Sequence, residues 1–321
     1  EARALNELAS AVVNHTGVSQ ARTVQERSGR IVLMGDLDVG TTLVAGTLDT
    51  SAPDGGSGGF IETSASVVKV ADSARVTTRG TGGEGGPSGT WLIDPTDFTI
   101  AATGGDISGA TLSTQLANNN VILDSVAGAL LGDGSLYVRD EVRWSSNRLT
   151  LRAQSHIHLY QDLVGSGSAQ LTMAYGQASA DGGTSDYHLH NGTRVYLPEG
   201  PNLSLQKGSA GANQKTYQVI TQGTMPATAG NVAFTGMNND TNGFYALGAS
   251  ISNVNSGGSE SIIMGPFNGR FHGLGHQLIN FEAGANNLNS TDAYDFVGLF
   301  RQTGTSSVLR DFQLIGGSFS L

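Results

Sequence analysis

The sequence predicts an all-β protein wound as a β-helix. Short runs alternate apolar and polar residues, the period of a strand with one buried face. Glycine supplies 46 of the 321 residues and gathers in the separators between those runs. The 3.6-residue apolar spacing of helices is nearly missing.

The runs follow in order: Gly29–Leu33, Thr42–Ala45, Phe60–Thr63 and Val67–Val70, then Val121–Leu123, Leu136–Val138, Leu149–Leu151, Ile157–Leu159 and Leu171–Met173. Between them stand Asp54-Gly55-Gly56, the glycine-rich 82–86 stretch and Asp181-Gly182-Gly183, suited to positive φ in sharp turns. Gly58, Gly59, Gly85 and Gly86 are expected in such turns, some with positive φ. Two segments read as short helices, Glu1–Val13 and Thr111–Asn118. A sandwich or barrel would use the same runs. Very short strands, separators of unequal length, and Val, Ile, Leu and Thr recurring at similar positions favour stacked rungs of roughly 20–25 residues.

Composition narrows the function classes. The net charge is −10 and lysine occurs three times, so the basic footprint of a nucleic-acid binder is lacking. No apolar run is long enough to cross a bilayer, so no membrane insertion is expected. The opening EARALNELAS has no basic start leading into an apolar stretch, and no signal peptide is read there. Cysteine is absent, which removes disulfides, zinc–thiolate sites and cysteine nucleophiles.

The run Gly89-Thr90-Trp91-Leu92-Ile93-Asp94-Pro95-Thr96-Asp97-Phe98-Thr99-Ile100 resembles a signature of two-partner-secretion exoproteins, the filamentous-haemagglutinin-like adhesins of Gram-negative bacteria. Gly58–Ser64 before it, and Leu116–Leu123 and Val142–Ala153 after it, are similar to the same family. Tyr245–Gly248, Gly265–His276 and Phe296–Phe300 resemble GLUG-type repeats, with Arg301 where their final glycine stands. The resemblance implies a right-handed parallel β-helix, an internal fragment of a longer rod. Residues 1–230 would form haemagglutinin-type rungs, and 231–321 GLUG-like repeats continuing the solenoid. It also implies a secreted, surface-exposed adhesin segment, exported by an outer-membrane two-partner-secretion transporter and meeting a host-cell, matrix or glycan receptor. A polysaccharide-degrading β-helix enzyme and a haem or haemopexin acquisition protein are the competing readings.

Candidate chemistry is sparse. His156-x-His158 and His188-x-His190 each place two imidazoles on one strand face, where zinc, copper or haem would suit them; ordinary outward polar alternation is the favoured explanation, since metal sites usually add a carboxylate or cysteine partner. Asp94, Asp97 and Asp106 invite a carboxylate-pair reading for glycoside hydrolysis, against Asp94-Pro95 as a plain turn start. Asp36-x-Asp38 and Asp181 with Asp186 match no calcium-loop spacing. Gly35 and Gly40 lack the Lys-Ser/Thr of a phosphate loop. Trp91 reads as core, and Trp144 as either core or sugar platform. Five Asn-x-Ser/Thr sequons, at Asn14, Asn191, Asn202, Asn239 and Asn289, hardly exceed the roughly four that chance supplies. No catalytic, cofactor-binding or metal-ligating residue is assigned, and no cofactor is expected. In the C-terminal segment Phe267, Phe271, Leu274, Leu278, Phe296, Leu299, Leu309, Leu314 and Ile315 are expected to fill the interior, with His272 outside it.

Overall fold

The computed structural model describes residues 2–3, 12–23, 28–80, 86–125, 132–223, 234–254, 261–284 and 298–320. The protein is all-β, with 47% strand and 6% helix, inside the limit of one-tenth helix set by the missing helical periodicity. It divides into two compact units, Glu1–Thr193 with Leu205–Gln214, and Arg194–Ser204 with Lys215–Leu321.

In the first unit a parallel sheet takes its strands in chain order but never consecutively. Arg30–Met34 pairs with Phe60–Ser64, which pairs with Thr90–Asp94, then Asn120–Asp124, Arg148–Arg152 and Gln170–Tyr175. Between visits the chain enters other parallel sheets: Val12–His15, Thr41–Val44 and Val67–Val70 form one, and Val18–Gln20, Thr47–Asp49 and Arg75–Thr77 another. Arg30, Phe60, Thr90 and Asn120 share one register, so the first three returns use equal lengths of chain. The return from Leu149 to Leu171 is shorter. The expected rung of roughly 20–25 residues therefore describes that return, while the returns before it and the later ones from Tyr245 to Phe271 and from Phe271 to Leu309 are longer. Longer excursions fit between the earlier strands because the pairing of those strands stays fixed.

Period-two alternation makes inward columns. Ile61, Trp91, Val121, Leu149 and Leu171 form one, and Thr63, Ile93, Leu123, Leu151 and Met173 the next, all buried. Each large apolar side chain so buried stabilises the fold by about 1.5–3 kcal/mol. Trp91 is fully buried, and its indole N–H donates to Thr63 Oγ1 at 3.1 Å, which removes the usual cost of burying that group. Trp144 is buried too, so neither tryptophan is a sugar platform.

The glycines divide into two kinds. Gly55, Gly56, Gly182 and Gly183 have positive φ, as their separators suggest. Gly58, Gly59 and Gly86 do not, which corrects the turn reading; Gly85 lies outside the described residues. Their reason is close approach of main chains. A Cβ on Gly59 would sit 2.2 Å from Gly29 O, and one on Gly89 1.8 Å from Gly59 O. Any side chain in this column strikes the turn before it.

Among the described residues the α-helix of the first unit is α1 (Gly109–Leu116), close to the expected 111–118. Ser108 caps it by accepting from Thr111 N. Of the other helix candidate, residues 4–11 lie outside the described residues, while Ala2–Arg3 and Val12–His15 are strand. The side chains after and within α1 join it to the strand Arg75–Thr77. Gln115 accepts from Val76 N at 3.1 Å and donates to Ala74 O at 3.1 Å, while Asn119 accepts from Thr78 N at 2.7 Å and donates to Val76 O at 3.0 Å. Two side-chain amides thus reproduce the donor–acceptor pattern of a neighbouring strand. On the strand Val142–Trp144, Arg143 N donates to Ser113 Oγ at 2.8 Å.

The second unit repeats the scheme. Lys215–Ile220, Phe244–Leu247, Arg270–His272 and Val308–Arg310 form one parallel sheet, with Ile251–Ser252, Gln277–Ile279 and Gln313–Ile315 in another. Its core holds Phe234, Met237, Phe267, Phe271, Leu278 and Leu299, with Leu309 packed against it, and Leu274 is buried. Two expected core residues are not there. Leu314 and Ile315 are each 43% exposed, since Gln313–Ile315 is the outermost strand described in its sheet. Phe296 lies outside the described residues. His272 reverses its expected place: it is 4% exposed, edge-on to the Tyr217 ring. Burial, with the Arg310 and Arg270 charges nearby, pushes its pKa down to about 3. Residues 298–301 run in the strand Gly298–Thr303, so Arg301 stands where no turn glycine is needed.

Candidate functional site

Four strands, Phe98–Ile100, Leu136–Val138, Ile157–Leu159 and Tyr187–Leu189, make a parallel sheet in the first unit. Their flanking apolar residues point inward, with Leu136, Val138, Ile157, Leu159 and Tyr187 buried. The residues between them, Thr99, Tyr137, His158 and His188, therefore form one outward column. His156 lies two residues to one side of His158, and Tyr160 two residues to the other; His190 lies beside His188. The parallel register thus gathers both His-x-His pairs and two tyrosines onto one face.

The rings stack on one another. Tyr137 lies 5.2 Å from His158 at 11°, His158 lies 5.0 Å from His188 at 16°, and Tyr160 lies 4.1 Å from His190 at 7°. Arg139 sits over Tyr160 at 4.5 Å and Tyr137 at 5.4 Å, a cation–π clamp on the tyrosines. Both faces of the His158 ring are covered, so this ladder presents ring edges to solvent. A sugar ring or macrocycle finds no free face at its centre.

Those nitrogens meet across neighbouring strands. His156 Nδ1 and His188 Nε2 are 3.0 Å apart, and His158 Nδ1 and His190 Nε2 are 3.1 Å apart. The Asp186 backbone N–H donates to His156 Nδ1 at 3.2 Å, so that nitrogen holds its lone pair and His188 Nε2 is the donor. Partial burial, with His188, His190 and His156 as neighbours, pushes the His158 pKa down to about 4. His158 is therefore neutral near pH 7. No three ligand-type side chains converge on one point among the described residues. Tyr137, Arg139 and Tyr160 were not singled out in the sequence. Their signal is the i, i+2 spacing of Tyr137 with Arg139 and His158 with Tyr160, but the strand offsets that align them cannot be read from spacing.

The three aspartates of the carboxylate reading serve different groups. Asp97 Oδ1 accepts from Gly134 N at 2.8 Å and Ser135 N at 3.1 Å. Asp106 pairs with Lys69 at 2.7 Å and accepts from Thr99 N at 2.6 Å. Asp94 has a different carboxylate neighbour, Asp124 on the next strand, which pairs with Arg152 at 2.9 Å. Burial of Asp94, then the charges of Asp124 and Glu62, raise its pKa to about 7. Its Oδ1 is buried without a hydrogen-bond partner. The calcium candidates are turn groups: Asp36 accepts from Asp38 N and Val39 N, and Asp181 from Gly183 N.

The fold and the ladder define an all-β protein of parallel sheets with a histidine–tyrosine face. No family model, no curated protein and no solved structure matches the chain.

Proposed function

We propose that the chain is a segment of a secreted, cell-surface adhesin: a β-helical rod that presents outward side-chain columns for attachment to cells, matrix or glycans. The observation that carries this reading is the register-locked ladder of Tyr137, His158 and His188. Inward columns fix such a face as a scaffold does, at low conformational cost on binding. The resemblance of Gly89–Ile100 to haemagglutinin-type exoproteins supports export through an outer-membrane two-partner-secretion transporter in a Gram-negative bacterium. The test is binding of the purified chain to epithelial cells, matrix proteins and a glycan array, beside a His158→Ser/His188→Ser double variant of equal stability. Binding by the wild type that the double variant loses is the expected result; no binding to any of the three surfaces would sink the proposal.

One observation favours an enzyme as a second reading. Asp94, protonated near neutrality beside an Arg-paired Asp124, has the unequal titration of an acid–base carboxylate pair. Polysaccharide hydrolysis lost in Asp94→Asn would support that reading over the first.

A further inference from the structure

We infer that His158 Nδ1 and His190 Nε2 form a two-nitrogen clip for a divalent transition-metal ion, with copper(II) the best-suited species. The two nitrogens stand 3.1 Å apart on adjacent strands. Two imidazole nitrogens bound cis at about 2.0 Å to one tetragonal copper(II) ion lie about 2.8–2.9 Å apart, so the clip closes by only a few tenths of an ångström. Bringing the facing lone pairs onto one outward point takes a turn of each ring about χ2, a soft torsion, against the stacks that His158 makes with Tyr137 and His188, and His190 with Tyr160.

The proton balance closes without an added base. Each neutral imidazole carries one N–H, and the short contact places one of those hydrogens between the two nitrogens. Metal binding needs that hydrogen on the opposite nitrogen of its own ring, which leaves lone pairs on His158 Nδ1 and His190 Nε2. Imidazole nitrogen suits copper, zinc and nickel, and copper(II) stands highest in the affinity order.

The second pair is not equivalent. His156 Nδ1 already accepts from the Asp186 backbone N–H, and a metal there would leave that donor unpaired. The clip supplies two donors, leaving the remaining coordination positions to water or to a carboxylate or imidazole from another molecule. Such a site fills when metal is supplied and empties during purification in its absence, unlike a closed structural site.

Copper(II) titration of the full chain, followed by electron paramagnetic resonance, tests the inference. We expect nitrogen splitting from two imidazoles at one equivalent of copper. His158→Gln and His190→Gln should each weaken binding by more than about tenfold, the least that loss of a ligand's own partner costs, while His156→Gln and His15→Gln stay near wild type. A wild type without two-imidazole splitting, or His158→Gln and His190→Gln variants that bind as well as wild type, would overturn it. Should either variant unfold, diethylpyrocarbonate labelling of the wild type decides. Copper must protect His158 and His190 and leave His15 reactive; equal labelling with and without copper refutes the clip.

Discussion

Replacing Asp94 by asparagine should stabilise the first unit in alkali and leave it unchanged in acid. The unfolded chain ionises this carboxyl near 3.8, whereas the folded chain holds its proton up to about 7. The folded state therefore bears no penalty from Asp94 below pH 4. The penalty grows between pH 4 and 7 and is constant above. Three pKa units amount to about 4 kcal/mol, and partial solvation of the group halves this to about 2 kcal/mol. Asparagine keeps the shape and is neutral at every pH. The expected gain is about 2 kcal/mol at pH 8, a shift of about 1 M in the urea midpoint, and near zero at pH 4. Both tryptophans, Trp91 and Trp144, lie in this unit, so their fluorescence follows it selectively. An Asp94→Asn variant less stable than wild type at pH 8, or a gain of equal size at pH 4 and 8, would refute the reasoning.

In the second unit Phe271→Ala removes a fully buried ring packed against Phe234, Phe300 and Phe312, and should cost about 3–5 kcal/mol; hydrogen exchange of peptides spanning 262–279 reads the loss. His272 charges near pH 6.5 when unfolded but only near 3 when folded. Its contribution is whole above pH 6.5 and disappears as pH falls from 6.5 towards 3, so the protection factors of the same peptides, taken against the intrinsic exchange rate at each pH, should fall across that window and stay level in His272→Gln. Gly89→Ala forces a Cβ onto Gly59 O and should disrupt the first unit, while Ala110→Gly, on the exposed side of α1, should cost about 1 kcal/mol by circular-dichroism melts.

The strands were legible because alternation such as Leu149-Thr150-Leu151 assigns faces without any knowledge of neighbours. Helix α1 was legible from its own apolar spacing. What the sequence withheld depends on which residues successive turns of the chain bring opposite each other. His158 meets His188 on one side and Tyr137 on the other, over unequal lengths of chain, and no local rule gives either offset. The same ignorance hid the approach of Asp94 to Asp124, one strand further along the sheet, behind the nearer Asp97. His272 was misplaced because it follows Phe271 in a strand where alternation fails and both side chains are buried. Gly58, Gly59 and Gly86 were misread as turn glycines because close approach between turns leaves no trace in the local sequence.

The seam at α1 changes what mutation can do. Main-chain pairing in the sheets is blind to codon choice, since every residue except proline brings the same donor and acceptor. At α1 the link to Arg75–Thr77 is instead spelled by Gln115 and Asn119. A drifting lineage can rewrite most outward positions without touching cohesion, yet a single missense change to a residue without an amide's donor and acceptor deletes two bonds at once at either codon. Variation should therefore run freely along the outward columns and halt at these two amides, the place where the architecture is inherited as side chains.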